Sequence, residues 1–138
     1  MRIAVSACLL GENCKYNGGN NRNQRVIDFV RGHEVVPICP ERLAGMPAPR
    51  PPVELRDGRA VQKSGADVDA VYREGVNRTM ALLARESVAL AILQPRSPTC
   101  GVRQVYDGAF TGRLIPGEGL LARALREAGI PTAEPDDL

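Results

Sequence analysis

Apolar residues fall along this chain in short runs separated by glycine, proline and Asx-rich breaks. The longest is Val88-Ala89-Leu90-Ala91-Ile92-Leu93, halted by Gln94-Pro95, and it predicts a buried strand that stops abruptly. Ile3 to Ala7 and Val35 to Ile38 are shorter runs of the same kind, closing at Cys8 and Cys39. Pro37 inside the second run points to an edge strand. Between them, Val26, Ile27 and Val30 keep helical spacing, with Gly32 as the stop. Val53 to Arg56 and Arg59 to Gln62 flank Asp57-Gly58, a strong hairpin signal. Asp67 is positioned to cap the next helix, with Asp69 in its first turn. Val68, Val71, Tyr72, Val76, Thr79, Met80 and Leu83 are its expected buried stripe. Val105-Tyr106 and Phe110-Thr111 flank Asp107-Gly108 and predict a second hairpin. Leu120, Leu121, Ala124, Leu125 and Ala128 mark a last helix ended by Gly129 and Pro131, and Thr132-Ala133 a final edge strand.

Strands alternating with helices predict an α/β fold: a single three-layer domain over residues 1–138, with a mainly parallel sheet, helices on both faces and two inserted β-hairpins. All strands of a parallel sheet end on one side, and ligands sit there. Cys8 and Cys39 close the first two strands, and Cys100 follows the third within Arg96-Ser97-Pro98-Thr99-Cys100-Gly101. The topology therefore brings three thiols, far apart in sequence, to one rim.

Composition narrows the function. Eighteen basic against sixteen acidic residues leave a net charge of +2, no basis for binding nucleic acid by bulk charge. Three Tyr, two Phe and no Trp are too few for a base-stacking platform. No stretch approaches the roughly 18 apolar residues of a membrane span. The apolar part of Met1 to Leu10 is too short for an export signal before Gly11-Glu12-Asn13. These features read as cytoplasmic, where thiols stay reduced and four cysteines suggest metal binding or reactivity rather than disulfides.

Three converging thiolates suit a soft metal. The paired C-x₂-C of zinc sites is absent, as is the zinc-deaminase signature, and the only histidine, His33, precedes a strand. Exclusively thiolate ligation favours an iron–sulfur cluster, and three protein ligands leave one iron open as a Lewis acid. Buried inert cysteines remain an equal reading of the pattern. Cys14 either completes a four-thiolate site or serves elsewhere. Glu41, two residues beyond Cys39, is a candidate general acid or base beside the thiolates, or a helix-capping carboxylate. Ser97 can donate to a substrate heteroatom, or it is a turn residue before Pro98. Residues 11–21 form a Gly-rich loop without the ending of a P-loop. Lys15, Tyr16, Asn17 and Gly18 within it are candidate substrate contacts, the loop serving as a lid. Arg50 and Glu54 can form a structural pair across Pro51-Pro52.

Six segments carry a family resemblance. Ser6-Ala7-Cys8-Leu9-Leu10-Gly11, Lys15-Tyr16-Asn17-Gly18, Cys39-Pro40-Glu41, Pro49-Arg50-Pro51-Pro52, Ser97-Pro98-Thr99-Cys100-Gly101 and Tyr106-Asp107-Gly108 together resemble the thiouracil desulfidase (2-thiouracil desulfurase) family. The match runs in order over nearly the whole chain. It implies an enzyme that releases sulfide from a thionated nucleobase or nucleoside, or a related thio-compound. It implies a [4Fe–4S] cluster held by Cys8, Cys39 and Cys100, with the unligated iron taking the sulfur. It also implies a catalytic carboxylate at Glu41 and a catalytic serine at Ser97. Cys14 stands where desulfidases of this family often carry an apolar residue, so no ligand role passes to it. The alternatives are a non-catalytic zinc- or iron–sulfur-binding module with Cys14 as fourth ligand, and a sulfur carrier.

Overall fold

The structure, a computed structural model, describes residues Met1–Leu138. In chain order the elements are β1 (Arg2–Ser6), α1 (Gln24–Val30), β2 (Glu34–Ile38), α2 (Pro40–Leu43), β3 (Val53–Arg56), β4 (Arg59–Gln62), α3 (Asp69–Glu86), β5 (Leu90–Ile92), β6 (Gln104–Tyr106), β7 (Leu114–Pro116), α4 (Leu120–Glu127) and β8 (Thr132–Ala133). Two 3₁₀ turns, Ala7–Leu10 and Pro135–Asp137, complete the list. The sheet runs β2-β1-β5-β8 with every pair parallel, and β3–β4 and β6–β7 are separate antiparallel hairpins. The architecture is thus the α/β one the alternation predicts.

The two-residue period of the strands divides the core. Ala4 and Ala91 face α3 and α4, packing with Val76, Leu83, Leu121, Ala122 and Leu125. Ile3, Val5 and Ile92 face the other way, onto Leu9 and the α1 residues Val26 and Val30. Leu121 and Leu125 are fully buried, and each such side chain stabilises the fold by about 1.5–3 kcal/mol. Pro37 sits on β2, the edge strand, where a missing N–H is tolerated. Asp57 and Gly58 both take positive φ (51° and 78°), the two-residue turn expected between β3 and β4.

Five expectations need correction. The 3₁₀ turn after β1 carries Cys8, so this thiol stands one turn beyond the strand end. The cap of α3 is Val68 rather than Asp67. Asp67 instead holds the Asp69 N–H from outside the helix (2.9 Å), while Asp69 accepts from the Ala60 N–H. Val71 is exposed. The buried stripe runs Asp69, Tyr72, Gly75, Val76, Thr79, Leu83, because Gly75 lets α2 lie directly against the helix: a Cβ there would meet the Pro40 carbonyl oxygen at 2.2 Å. In the second hairpin, β6 pairs with Leu114–Pro116 and not with Phe110-Thr111. The N–H groups of Gly108 and Phe110 both donate to Glu54 Oε1, which holds this segment as a loop against β3. Arg50 donates instead to the Pro47 and Cys14 carbonyls, and the expected pair with Glu54 does not form.

The chain leaves β1 toward β2 on one side, and β5 lies on the other. The connections following β1 and β5 diverge, which opens a crevice beyond their carboxyl ends. The candidate chemistry collects there.

Candidate functional site

A cavity of about 630 Å³ opens at this rim, a size suited to a small organic ligand. Its floor carries Cys8, Cys39 and Cys100, joined by Cys14. Glu41, Ser97 and Thr99 form one wall, Lys15, Tyr16 and Asn21 another, and the lining includes the half-buried rings of Tyr106 and Phe110 and the buried ring of Tyr72.

Local structure explains each placement. Ser6, the last residue of β1, accepts the Gln94 N–H on its hydroxyl (2.9 Å), which ties the ends of β1 and β5 together. Cys39 is the N-cap residue of α2, and Pro40, the first helical residue, presets the φ that helix entry needs. Glu41 then lies in the first turn, buried at 7% exposure. The 97–101 segment is a tight turn: Ser97 Oγ accepts the N–H groups of Thr99 (3.2 Å) and Cys100 (3.1 Å), and Gly101 N–H donates to the Ser97 carbonyl. The turn docks on the start of α4, where Leu121 and Ala122 N–H donate to the Thr99 carbonyl. Gly119 is required for that approach, since a Cβ would fall 2.5 Å from the Thr99 carbonyl carbon and oxygen.

The carboxylate and both hydroxyls are in contact. Thr99 Oγ1 donates to Glu41 Oε1 (2.9 Å) and lies 3.1 Å from Ser97 Oγ. The other carboxylate oxygen, Oε2, accepts from the Cys39 thiol at 3.6 Å.

The thiols differ in their surroundings. Cys8 is held below the usual thiol range, chiefly by a hydrogen bond from Cys14 and also by the Asn21 amide, which outweigh its burial. Cys39 is raised by the neighbouring Cys14 thiol, then by burial and by Glu41. Cys100, almost wholly covered, is pushed up to about 12 by burial, with Glu41 adding to it. Cys14 lies beside Cys8 and Cys39 in the cavity lining, and its carbonyl accepts from Arg50 Nη2 (2.9 Å).

This donor set fits an iron–sulfur cluster. Every soft donor at the rim is a thiol, and His33 is exposed before β2, at the opposite end of the sheet. No three Cys, His, Asp or Glu side chains are placed to hold a single metal ion. A zinc–sulfur bond of about 2.3 Å requires ligands to converge on one point. Thiols that each bind a different iron of a cage have no such requirement.

The structure brings Cys8, Cys39 and Cys100 to one rim as the topology predicts, and Glu41 and Ser97 line the same cavity. Lys15 and Tyr16 reach the cavity; Asn17 and Gly18 do not line it. Gly18 N–H donates to the Lys15 carbonyl, and the Asn17 amide oxygen accepts from Gly19 N–H, so these two residues build the turn. Sequence reasoning missed Thr99, Asn21 and Tyr72 as cavity residues. Arg50 also belongs here: beyond the Cys14 carbonyl it donates to Pro47 O, and its Nε is buried without a partner.

No helix is long and apolar enough to cross a membrane. Residues 3–137 match the model of a family described as 2-thiouracil desulfurase. An uncharacterized Bacillus subtilis (strain 168) protein, YbbK, is 34% identical over 146 residues, covering 99% of this chain and 97% of that protein. A solved structure of the [4Fe-4S]-dependent thiouracil desulfidase TudS superposes with a TM-score of 0.93 at 35% identity, covering 99% of this chain and 92% of the other.

Proposed function

Because the chain belongs to the 2-thiouracil desulfurase family, we propose that it removes the sulfur of a thionated pyrimidine base or nucleoside, as sulfide, and leaves oxygen on the same carbon. The observation carrying this reading is the convergence of three thiols from separate strand ends with a buried carboxylate and a hydroxyl in one cavity. Cys8, Cys39 and Cys100 would hold a [4Fe–4S] cluster of the kind named for TudS. Bound there, such a cluster supplies a thiophilic Lewis acid at the iron no cysteine holds.

The remaining work falls to the chain. Tyr72, Tyr106 and Phe110 offer apolar surface to a planar ring and keep bulk water from it. Once Cys39 is a ligand thiolate it no longer donates to Glu41, and Oε2 is free to take a proton from water. Ser97 Oγ already accepts two backbone N–H groups, so its own O–H is left to donate, to Thr99 at rest and to the departing sulfur in the reaction. Neither step changes the number of electrons on the substrate. Lys15 and Tyr16 hold the outer part of the substrate. A reaction on a small molecule calls for neither nucleic acid nor a membrane, and cysteines that work as free thiols suit the reducing cytoplasm.

The test is reconstitution with iron and sulfide under nitrogen, followed by assay against thiolated pyrimidine bases and nucleosides. Sulfide and the oxygenated base are expected together. Loaded protein that releases sulfide from none of them overturns the reading. So does cluster absorbance that survives removal of Cys8, Cys39 and Cys100 together.

A further inference from the structure

Thr99 is fully buried, yet its hydroxyl touches both groups assigned to proton transfer. The hydrogen-bond inventory fixes the direction of that contact. Ser97 Oγ accepts from Thr99 N–H and Cys100 N–H, which fills its acceptor capacity and leaves its single proton to donate. Thr99 also has one proton to give. Its two acceptors are the Glu41 carboxylate at 2.9 Å and the Cys100 sulfur at 3.6 Å, and the carboxylate is the stronger and nearer. With that proton committed to Glu41, the lone pairs of Thr99 face Ser97 Oγ at 3.1 Å. The chain of bonds runs one way: Ser97 O–H to Thr99 O–H to Glu41 Oε1. All three side chains line the cavity, Thr99 between the other two and with no exposed surface of its own.

We propose that Thr99 is a positioning residue that couples Glu41 and Ser97 into one proton path. This rests on the desulfidase reading above. In the step, a water oxygen bonds to the thiocarbonyl carbon and its first proton goes to Glu41. Ser97 gives its proton to the sulfur as the carbon–sulfur bond breaks. Once protonated, Glu41 becomes the donor and reverses the resting direction of the chain: it gives its proton to Thr99, and Thr99 gives its own to Ser97, whose O–H has turned from Thr99 to the sulfur. The second water proton leaves with the sulfide as the carbonyl forms. The sum is water plus thiocarbonyl giving carbonyl plus hydrogen sulfide, with no oxidant or reductant.

The experiment compares wild type, Thr99→Val and Thr99→Ser after identical oxygen-free loading, reading iron content, equilibrium affinity for 2-thiouracil, kcat and KM. Thr99→Val should keep its iron and its affinity while kcat falls about a hundredfold or more, the scale of a lost acid–base contribution. Thr99→Ser, which keeps the hydroxyl and drops the methyl, should retain kcat within about threefold. If valine is not accommodated, Thr99→Ala against Thr99→Ser gives the same contrast. The coupling is overturned if the hydroxyl-free variants turn over like wild type, if serine falls as far as valine, or if iron is lost in step with activity. A fully loaded wild type that releases no sulfide overturns the desulfidase reading, and the coupling falls with it. An active wild type beside an equally active Thr99→Val overturns the coupling alone.

Discussion

The two walls of the cavity are built by different means. The wall of Glu41, Ser97, Thr99 and Cys100 depends on residues distant in sequence. Thr99 bonds Glu41 across 58 positions, Gly119 packs against the Thr99 backbone, and Pro40 presses on Gly75 of α3. The wall of Gly11 to Asn23 is held mostly by its neighbours: Lys15 N–H on Gly19, Gly18 N–H on Lys15, Asn20 on Asn13. Its distant ties are few: Arg50 backbone N–H donates to the Tyr16 carbonyl, its guanidinium to Cys14, and Glu12 meets Arg42 at the surface. Tyr16 is 48% exposed, whereas Thr99 is fully buried. A wall fixed by the core suits reacting groups, which must be held closely. A wall fixed by local turns opens at low cost and suits admission of substrate.

The largest effect that would break this division is on turnover. Glu41→Gln keeps an acceptor for Thr99 but cannot take a proton, so kcat should fall by about 10²–10⁴ with the iron content unchanged. Lys15→Ala, on the other wall, should raise KM and leave kcat in place. Steady-state kinetics on both, after matched iron analysis, decide it. A Lys15 variant that loses kcat as Glu41→Gln does would show that the loop takes part in the chemistry.

Next is the cost of a single methyl group. Gly119→Ala would set a Cβ 2.5 Å from the Thr99 backbone, and the turn carrying Ser97 and Cys100 must shift. Overpacking of this kind destabilises by about 1–3 kcal/mol, sometimes more. Here it should also lower activity, because the displaced residue holds Glu41. Gly18→Ala meets nothing nearer than 3.7 Å, but its φ of +80° is unfavourable for alanine, a cost of about 1–2 kcal/mol. Urea unfolding should show both losses, and only Gly119→Ala should reduce kcat. Equal kinetic losses would merge the two walls.

The same contrast explains what could be read from the sequence. Apolar runs fixed the parallel sheet, and their closing cysteines fixed the rim, because strand direction in such folds decides where side chains emerge. Asp57-Gly58 marked a hairpin because its turn geometry is local. The second hairpin was misplaced because Glu54, more than fifty positions away, accepts from Gly108 and Phe110, and no local pattern records that bond. Thr99 went unnoticed for the same reason: in the sequence it is one more turn residue, and only the packing of α2 on Gly75 brings Glu41 to it. Lys15 and Tyr16 were found with Asn17 and Gly18 because all four share one polar stretch. The stretch does not say which of them build the turn and which face inward.

The smallest effect concerns acid. Asp69 begins α3, the helix that positions α2, and is 2% exposed. Burial alone would raise its carboxyl. The Ala60 N–H and the Arg73 guanidinium, with Arg59 nearby, outweigh this and hold it below the usual carboxylate range. A group lowered in this way adds stability that is complete above its unfolded value of about 3.9 and is lost as pH falls through the lower folded value. Asp69→Asn should therefore be less stable than wild type at pH 7 by about 1–3 kcal/mol, the cost of weakening a buried charge-assisted contact. The gap should close as pH falls below about 4, where wild type surrenders the same contribution. Glu12→Gln breaks a pair whose side chains are 38% and 50% exposed, and the change should stay under about 1 kcal/mol and fade in salt. Urea midpoints at pH 7 and pH 3, with and without added salt, measure both. A Glu12 variant that weakens the protein as much as Asp69→Asn would mean the loop wall shares the core's rigidity, and substrate entry would then have to be sought on another side of the cavity.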